Sequence, residues 1–306
     1  MVQYDELLGW RHVPNTQAHS ESKEYKVTYR INSKGLRDKE RSYDKQKGEF
    51  RVLCLGDSLT YGWGVNSEER FTDLLEGYFT NVSFINTGVQ GYGLDQELLY
   101  FMQEGKKYNA DLILMYVIPD DSVRACYSKM WDRPKPQFLL DDKNRLVLSN
   151  VPVPRIDVFS FGSHSLDKAR YYLSQKSYLF WFIQNKFLMW RDVHFEPTGN
   201  ERIKLKLAEA ILKRIEETAA AVGAPVVIVG DLMYDKTIPI RETGIYFCPD
   251  PLEPYKGNIS EVCHNEFGHP NVRGHKIIAD TIYRFLTEKR LVPQEHWKES
   301  GELPGA

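Results

Sequence analysis

Four short, mostly unbroken apolar runs limit the folds open to this chain more than any other feature. They are "FRVLCLG" (Phe50–Gly56), "VSFINTG" (Val82–Gly88), "ADLILMYVI" (Ala110–Ile118) and "APVVIVGD" (Ala224–Asp231). Runs of this length without polar alternation read as strands buried on both faces, as in a parallel sheet covered by helices. The stretches around them change period. "NSEERFTDLLEGYF" spaces Phe71, Leu74, Leu75 and Phe79 as a helix does, with Asn66 or Ser67 as its expected N-cap. "LDQELLYFMQEGKKY", "ERIKLKLAEAILKRIEETAAAVG" and "VRGHKIIADTIYRFLTEK" are further helical stretches, the second amphipathic and ended by Gly223. Strands alternating with helices of this length predict a three-layer α/β fold, a parallel central sheet with helices on both faces.

Around this core the sequence divides into an N-terminal extension (1–49), a main α/β domain (50–290) and a C-terminal tail (291–306). Within the extension, "YKVTYRIN" (Tyr25–Asn32) alternates as a strand does, and "RDKERSYDKQKGE" (Arg37–Glu49) reads as a solvated charge run. An insertion of about 121–200 separates the third and fourth core strands. It opens with a hairpin pattern, "QFLLDDKNRLVLSN", and continues with an aromatic-rich helical stretch, "LDKARYYLSQKSYLFWFIQNKFLMW". Those aromatics suit the core of a cap subdomain, or the wall of an apolar lid.

Charge and cysteine content narrow the function classes. Lys and Arg number 40 against 42 Asp and Glu, so no basic footprint for nucleic acid is present. No run of eighteen apolar residues offers a bilayer span. Asp5 and Glu6 stand where a signal peptide would place its apolar core, so the cytoplasm is the expected compartment unless a leader has been removed. Four cysteines are too few for a disulfide framework. Cys248 and Cys263 flank one loop, and pairing between them is an option only in an oxidising compartment.

Ser58 follows the first apolar run through a Gly-Asp turn, at the sheet edge where open α/β sheets bind ligands. Alone, it reads first as a helix cap and only second as a nucleophile, since a serine hydroxyl needs a base to react. A base is available in "HNEFGHPNVRGH" (His264–His275), just before the last helix. His269 has Glu266 three residues before it, and a carboxylate there would fix the tautomer and stabilise an imidazolium. His275 is expected to pack at the start of the last helix. The His and Cys spacings match no standard zinc pattern, so no metal is expected.

Taken together, these blocks resemble the GDSL/SGNH hydrolases, a family of serine esterases and acyltransferases. "GDSLTYG" (Gly56–Gly62) is similar to the family's first block, "NTGVQGYG" (Asn86–Gly93) to its second, and "HPNVRGH" (His269–His275) to the tail of its last. "INSKGLRDKE" (Ile31–Glu40) resembles an extension of some bacterial members. The resemblance implies Ser58 as nucleophile, His269 as its base and Glu266 as the orienting acid. It implies an oxyanion hole from the backbone N–H groups of Ser58 and Gly91 and a side-chain amide in the third block. No cofactor is implied, and the partner would be a small ester or acylated molecule.

The third block departs from the family pattern. In "LILMYVIPDDSV", Asp120 occupies the asparagine position, and an ionised carboxylate has no proton to donate. Three readings follow: Asp120 is protonated by burial and donates, it turns away, or the scaffold has left ordinary ester hydrolysis. Asp57, Asp121 and Asp231 are second-tier site candidates, Asp57 as an organiser of its own loop. The expected function is acyl chemistry through Ser58, as hydrolysis or O-acyl transfer. The alternative is a repurposed biosynthetic enzyme or a non-catalytic binder of the same fold.

Overall fold

The computed structural model describes residues 1–131, 133–155, 201–230, 244–265 and 268–298. Two hairpins open the chain: β1 (Val2–Asp5) with β2 (Gly9–His12), and β3 (Thr16–Glu21) with β4 (Lys26–Ile31). Then come β5 (Phe50–Leu55), α1 (Ser58–Tyr61), α2 (Phe71–Tyr78), β6 (Val82–Asn86), α3 (Leu94–Gln103) and β7 (Leu112–Val117). After α4 (Pro119–Arg124) stand the short pair β8 (Lys129–Met130) and β9 (Arg133–Pro134), then the hairpin β10 (Gln137–Leu140) and β11 (Leu146–Ser149). The chain closes with α5 (Glu201–Ala220), β12 (Val226–Gly230), β13 (Ile245–Cys248) and α6 (Val272–Glu288).

The core sheet has five parallel strands in the order β13-β12-β7-β5-β6. Its strands lack polar alternation because both faces are covered. Val52, Cys54, Leu112, Leu114, Val227 and Val229 pack with α2 and α6, while Leu53, Leu55, Ile113, Met115, Val226 and Ile228 pack with α3 and α5. The fold is therefore three-layer α/β, with the strand order of flavodoxin-like proteins. β5 sends its chain one way to β6, and the sheet then grows the other way through β7. The crevice at such a reversal, beyond the strands' C-terminal ends, is where these sheets bind ligands.

Local differences from the sequence reading have physical causes. The stretch from Asn66 is not one helix: a 3₁₀ turn at Ser67–Glu69 ends at Arg70, whose backbone is extended (φ −72°, ψ 147°), and α2 starts at Phe71. Arg70 is fully buried, donating to the carbonyl of Arg37 and pairing with Asp73 at 2.7 Å. The stretch at Arg37–Glu49 is not a uniformly solvated run either. Arg37 is buried, its guanidinium donating to the carbonyls of Tyr61 (2.8 Å) and Val65 (2.6 Å). Arg41 is buried against Asp38 and Glu76. Cys248 and Cys263 are both free thiols. β13 adds an edge strand that the apolar-run pattern does not mark. The aromatic stretch 166–190, Asp231 and Glu266 lie outside the described residues.

Candidate active site

Ser58 is the first residue of α1, and the helix cap is its neighbour. Asp57 Oδ1 accepts from the Leu59 N–H at 2.8 Å, the N-cap geometry, with Asp57 itself fully buried. The hydroxyl is thereby left over for other work. Ser58 Oγ lies 2.8 Å from His269 Nε2 and 3.2 Å from Asp57 Oδ2. With its proton on Nδ1, the imidazole accepts the Ser58 hydroxyl through Nε2, the alignment a general base requires.

His269 arrives from 211 residues away on a closed loop. The His264 N–H donates to the His269 carbonyl at 2.8 Å, and the Asn271 N–H donates to Val262 at 2.9 Å. A bridge between Cys263 and Pro270 completes this narrow ladder. Asn271 then caps α6, accepting from the Gly274 N–H at 3.0 Å. The Trp63 ring stands 6.1 Å from the imidazole on its other side. Proline and an N-cap asparagine directly after His269 fix its backbone between a turn and a helix start.

The second block packs directly on the first. The Val89 N–H donates to the Gly56 carbonyl at 3.1 Å, and Asn86 Oδ1 accepts from Gly88 at 3.0 Å while its amide reaches Thr60 and Thr72. A Cβ at Gly88 would overlap the backbone of Tyr61. Gly91 takes a left-handed φ of 75°, and the Trp131 indole fills the space its Cβ would need. Only glycine suits that position.

Asp120 lies on α4 with its side chain 74% exposed, 3.9 Å from Arg124 Nη2. That exposure removes the burial on which the protonated-donor reading depended. Its neighbour Asp121 is fully buried, accepting from Ile118 N–H at 2.9 Å and from Arg124 Nη1 at 2.9 Å.

Several groups beneath the site were not legible from motifs. Arg124 Nη1 also donates to Asp57 Oδ2 at 2.6 Å and to the Tyr92 carbonyl at 3.2 Å. Glu97 is buried beside them, and among the described residues neither of its carboxylate oxygens has a hydrogen-bond partner. Burial, then the charge of Asp57, pushes its carboxyl up to about 8. Burial likewise raises Asp121 well above the usual carboxylate range, with Asp57 and Glu97 adding to the shift. Asp95 is paired with Lys135, both fully buried. The spacing Asp120, Asp121, Arg124 does carry a helical pairing signal, whereas Glu97 looks in sequence like an ordinary exposed residue of a first turn.

The extension meets both halves of the site. Trp10 Nε1 donates to the Gln90 carbonyl at 3.1 Å, His12 Nε2 contacts Gln90 Oε1 at 2.8 Å, and Tyr92 Oη donates to the Trp10 carbonyl at 2.6 Å. On the histidine side, Glu24 Oε1 accepts from Asn265 N–H at 3.1 Å and from its amide at 2.7 Å.

No protein-family model and no curated protein matches this chain. Among solved structures, the esterase EstA from Pseudoalteromonas is similar, with 13% identity, a TM-score of 0.47, and coverage of 79% of this chain and 99% of that one. TesA is similar too, at 13% identity and a TM-score of 0.45 over the same shares. A G-D-S-L family lipolytic protein from Veillonella parvula has 14% identity and a TM-score of 0.41, covering 78% and 98%. In this chain Ser58 and His269 meet, Gly91 lies in the loop packed on Ser58's own, Asp57 and Asp121 are bound through Arg124, and Asp120 faces solvent.

Proposed function

We propose that this protein is a serine hydrolase that cleaves a carboxylic ester through an acyl-enzyme on Ser58. The observation that carries this reading is the 2.8 Å contact between Ser58 Oγ and His269 Nε2, at the reversal point of the sheet. Ser58 Oγ attacks the acyl carbonyl while its proton passes to Nε2. The tetrahedral oxyanion collapses, the C–O bond to the alcohol breaks, and the imidazolium returns the proton to that alcohol. Water then repeats the sequence on the acyl-enzyme and releases the acid. Glu266 is the acid assigned to orient His269.

In this reading the oxyanion is met by the backbone N–H groups of Ser58 and Gly91. The third donor has no side-chain amide behind it, because Asp120 offers a carboxylate. One missing donor lowers the rate by about 10²–10³, so the enzyme is expected to be slow on unactivated esters. The acyl acceptor in deacylation can equally be an alcohol, which gives its proton to His269 and takes the acyl group from Ser58 as an O-acyl transfer on the same machinery.

A fluorophosphonate probe tests the assignment. Covalent labelling of wild type at Ser58 is expected, with none in Ser58→Ala and a rate lowered by about 10²–10⁴ in His269→Ala, the span of general-base contributions. A folded wild type that takes no label refutes the enzyme. That result would favour the second reading, a ligand-binding or repurposed scaffold, for which the carboxylate of Asp120 at the amide position speaks.

A further inference from the structure

Beyond the nucleophile and its base, one side chain ties the loops that leave β5 and β6 to α4, the helix that follows β7. Arg124 Nη1 reaches Asp57 Oδ2 at 2.6 Å in the first loop and the Tyr92 carbonyl at 3.2 Å in the second. Within α4 itself it pairs with Asp121 Oδ1 at 2.9 Å, one turn earlier. Ser58 follows directly on Asp57, and Gly91 directly precedes Tyr92. The approach is tight: a Cβ at Gly93 would come within 2.9 Å of Arg124 Cβ. Lys135, itself fully buried, donates to the Arg124 carbonyl at 3.2 Å and holds the end of α4 from below.

We propose that Arg124 is the positioning residue of this active site, clamping the loops after β5 and β6 onto α4 and keeping Asp57 from competing with His269 for the Ser58 proton. The inference rests on the reading of Ser58 as nucleophile. Two acceptors face Ser58 Oγ, Nε2 at 2.8 Å and Asp57 Oδ2 at 3.2 Å, and a hydroxyl has one hydrogen to give. A guanidinium 2.6 Å from Oδ2 satisfies that oxygen with a charge-assisted bond. Without it, Asp57 keeps a buried, uncompensated oxygen beside the nucleophile, and the hydroxyl turns to it. The Ser58–His269 pair then opens, although neither residue has changed. The second-block loop simultaneously loses its tie to α4, so the Gly91 N–H loses its fixed aim.

The test compares Arg124→Gln, Arg124→Lys, Arg124→Ala and the charge-balanced Asp121→Asn/Arg124→Gln, which leaves one fewer uncompensated carboxylate should a single variant misfold. Each is assayed by steady-state hydrolysis of p-nitrophenyl acetate and by the rate of fluorophosphonate labelling of Ser58. Loss of the clamp is expected to lower kcat and labelling together by about 10²-fold, the cost of a misplacement near 1 Å. KM should stay within about threefold, because Arg124 does not touch the substrate. Lysine, a point charge without the planar fork, should recover part of the loss, and so should guanidinium added at low millimolar concentration to Arg124→Ala. A labelled wild type with folded glutamine variants that react at the wild-type rate overturns the clamp alone. Equal losses in the lysine and glutamine variants without guanidinium rescue also overturn it. An unlabelled wild type overturns the clamp and the hydrolase reading together.

Discussion

At the scale of single residues, the site is defined by which hydrogen goes where. Asp57 takes the cap, and Ser58 is free to face His269. The weak point of the proposed hydrolase is Asp120, which the block resemblance puts at the amide position and which is 74% exposed on its helix. If that position borders the oxyanion, replacing the carboxylate with an amide of the same size supplies a donor and removes a charge. Asp120→Asn is therefore expected to raise kcat on p-nitrophenyl acetate by about 10–10²-fold, part of what one oxyanion donor contributes. An unchanged rate from an already fast wild type would show that two backbone donors suffice and that Asp120 lies off the reaction. The variant's stability should be near that of wild type, since the exchanged side chain is largely in water.

Among elements, the contacts between motifs matter more than the motifs. The loop after β6 lies so close to α1 that a Cβ at Gly88 would overlap the Tyr61 backbone, and backbone cannot swing aside as a side chain can. Gly88→Ala should push the two loops apart, costing about 1–3 kcal/mol of stability as overpacking does. Fluorophosphonate labelling should be lost at temperatures where circular dichroism still reports a folded chain; normal labelling would mean that the loops can separate without disturbing Ser58. The core strands and α3, α5 and α6 were legible because each answers to burial on a fixed period. The meeting of Ser58 and His269 was expected from the resemblance of their blocks taken together, since neither block singles out its residue alone. Arg37, Arg41, Arg70 and Glu97 were not legible, because a charged residue read in one dimension is assigned to water. Their burial depends on partners that lie far along the chain, such as Glu76 for Arg41 and the Tyr61 and Val65 carbonyls for Arg37. β13 escaped because an edge strand of Ile245, Tyr246, Phe247 and Cys248 buries only its end residues.

For the molecule as a whole, two buried groups set opposite limits on stability with pH. Glu97, facing Asp57, Asp95 and Arg124, has its carboxyl pushed up to about 8 by burial, from an ordinary value of 4.5. The folded chain keeps a proton that the unfolded chain releases, so this group lowers stability progressively as pH rises from 4.5 to about 8. His275 lies at the start of α6, stacked on Phe71 with ring centroids 6.0 Å apart. Burial first, and then the charges of Arg70 and Arg37, lower its imidazole from 6.5 to about 3, with His264 and His269 also facing it. Here the unfolded chain binds a proton that the folded one refuses, and stability falls as pH drops from 6.5 to about 3. The two slopes oppose each other between 4.5 and 6.5, which predicts a plateau there from this pair, with losses on either side. Thermal melts of Glu97→Gln and His275→Gln against wild type read each contribution together with that of its immediate charged neighbours, because the titrations of distant groups cancel in the difference. The melting temperature of Glu97→Gln relative to wild type should climb from pH 4.5 to about 8 and then level. That of His275→Gln should climb in the other direction, from pH 6.5 down to about 3. A pH-independent difference for Glu97→Gln would mean that the carboxyl finds a charge partner or water in the folded protein, and that the cluster under Arg124 is fully ionised at neutral pH.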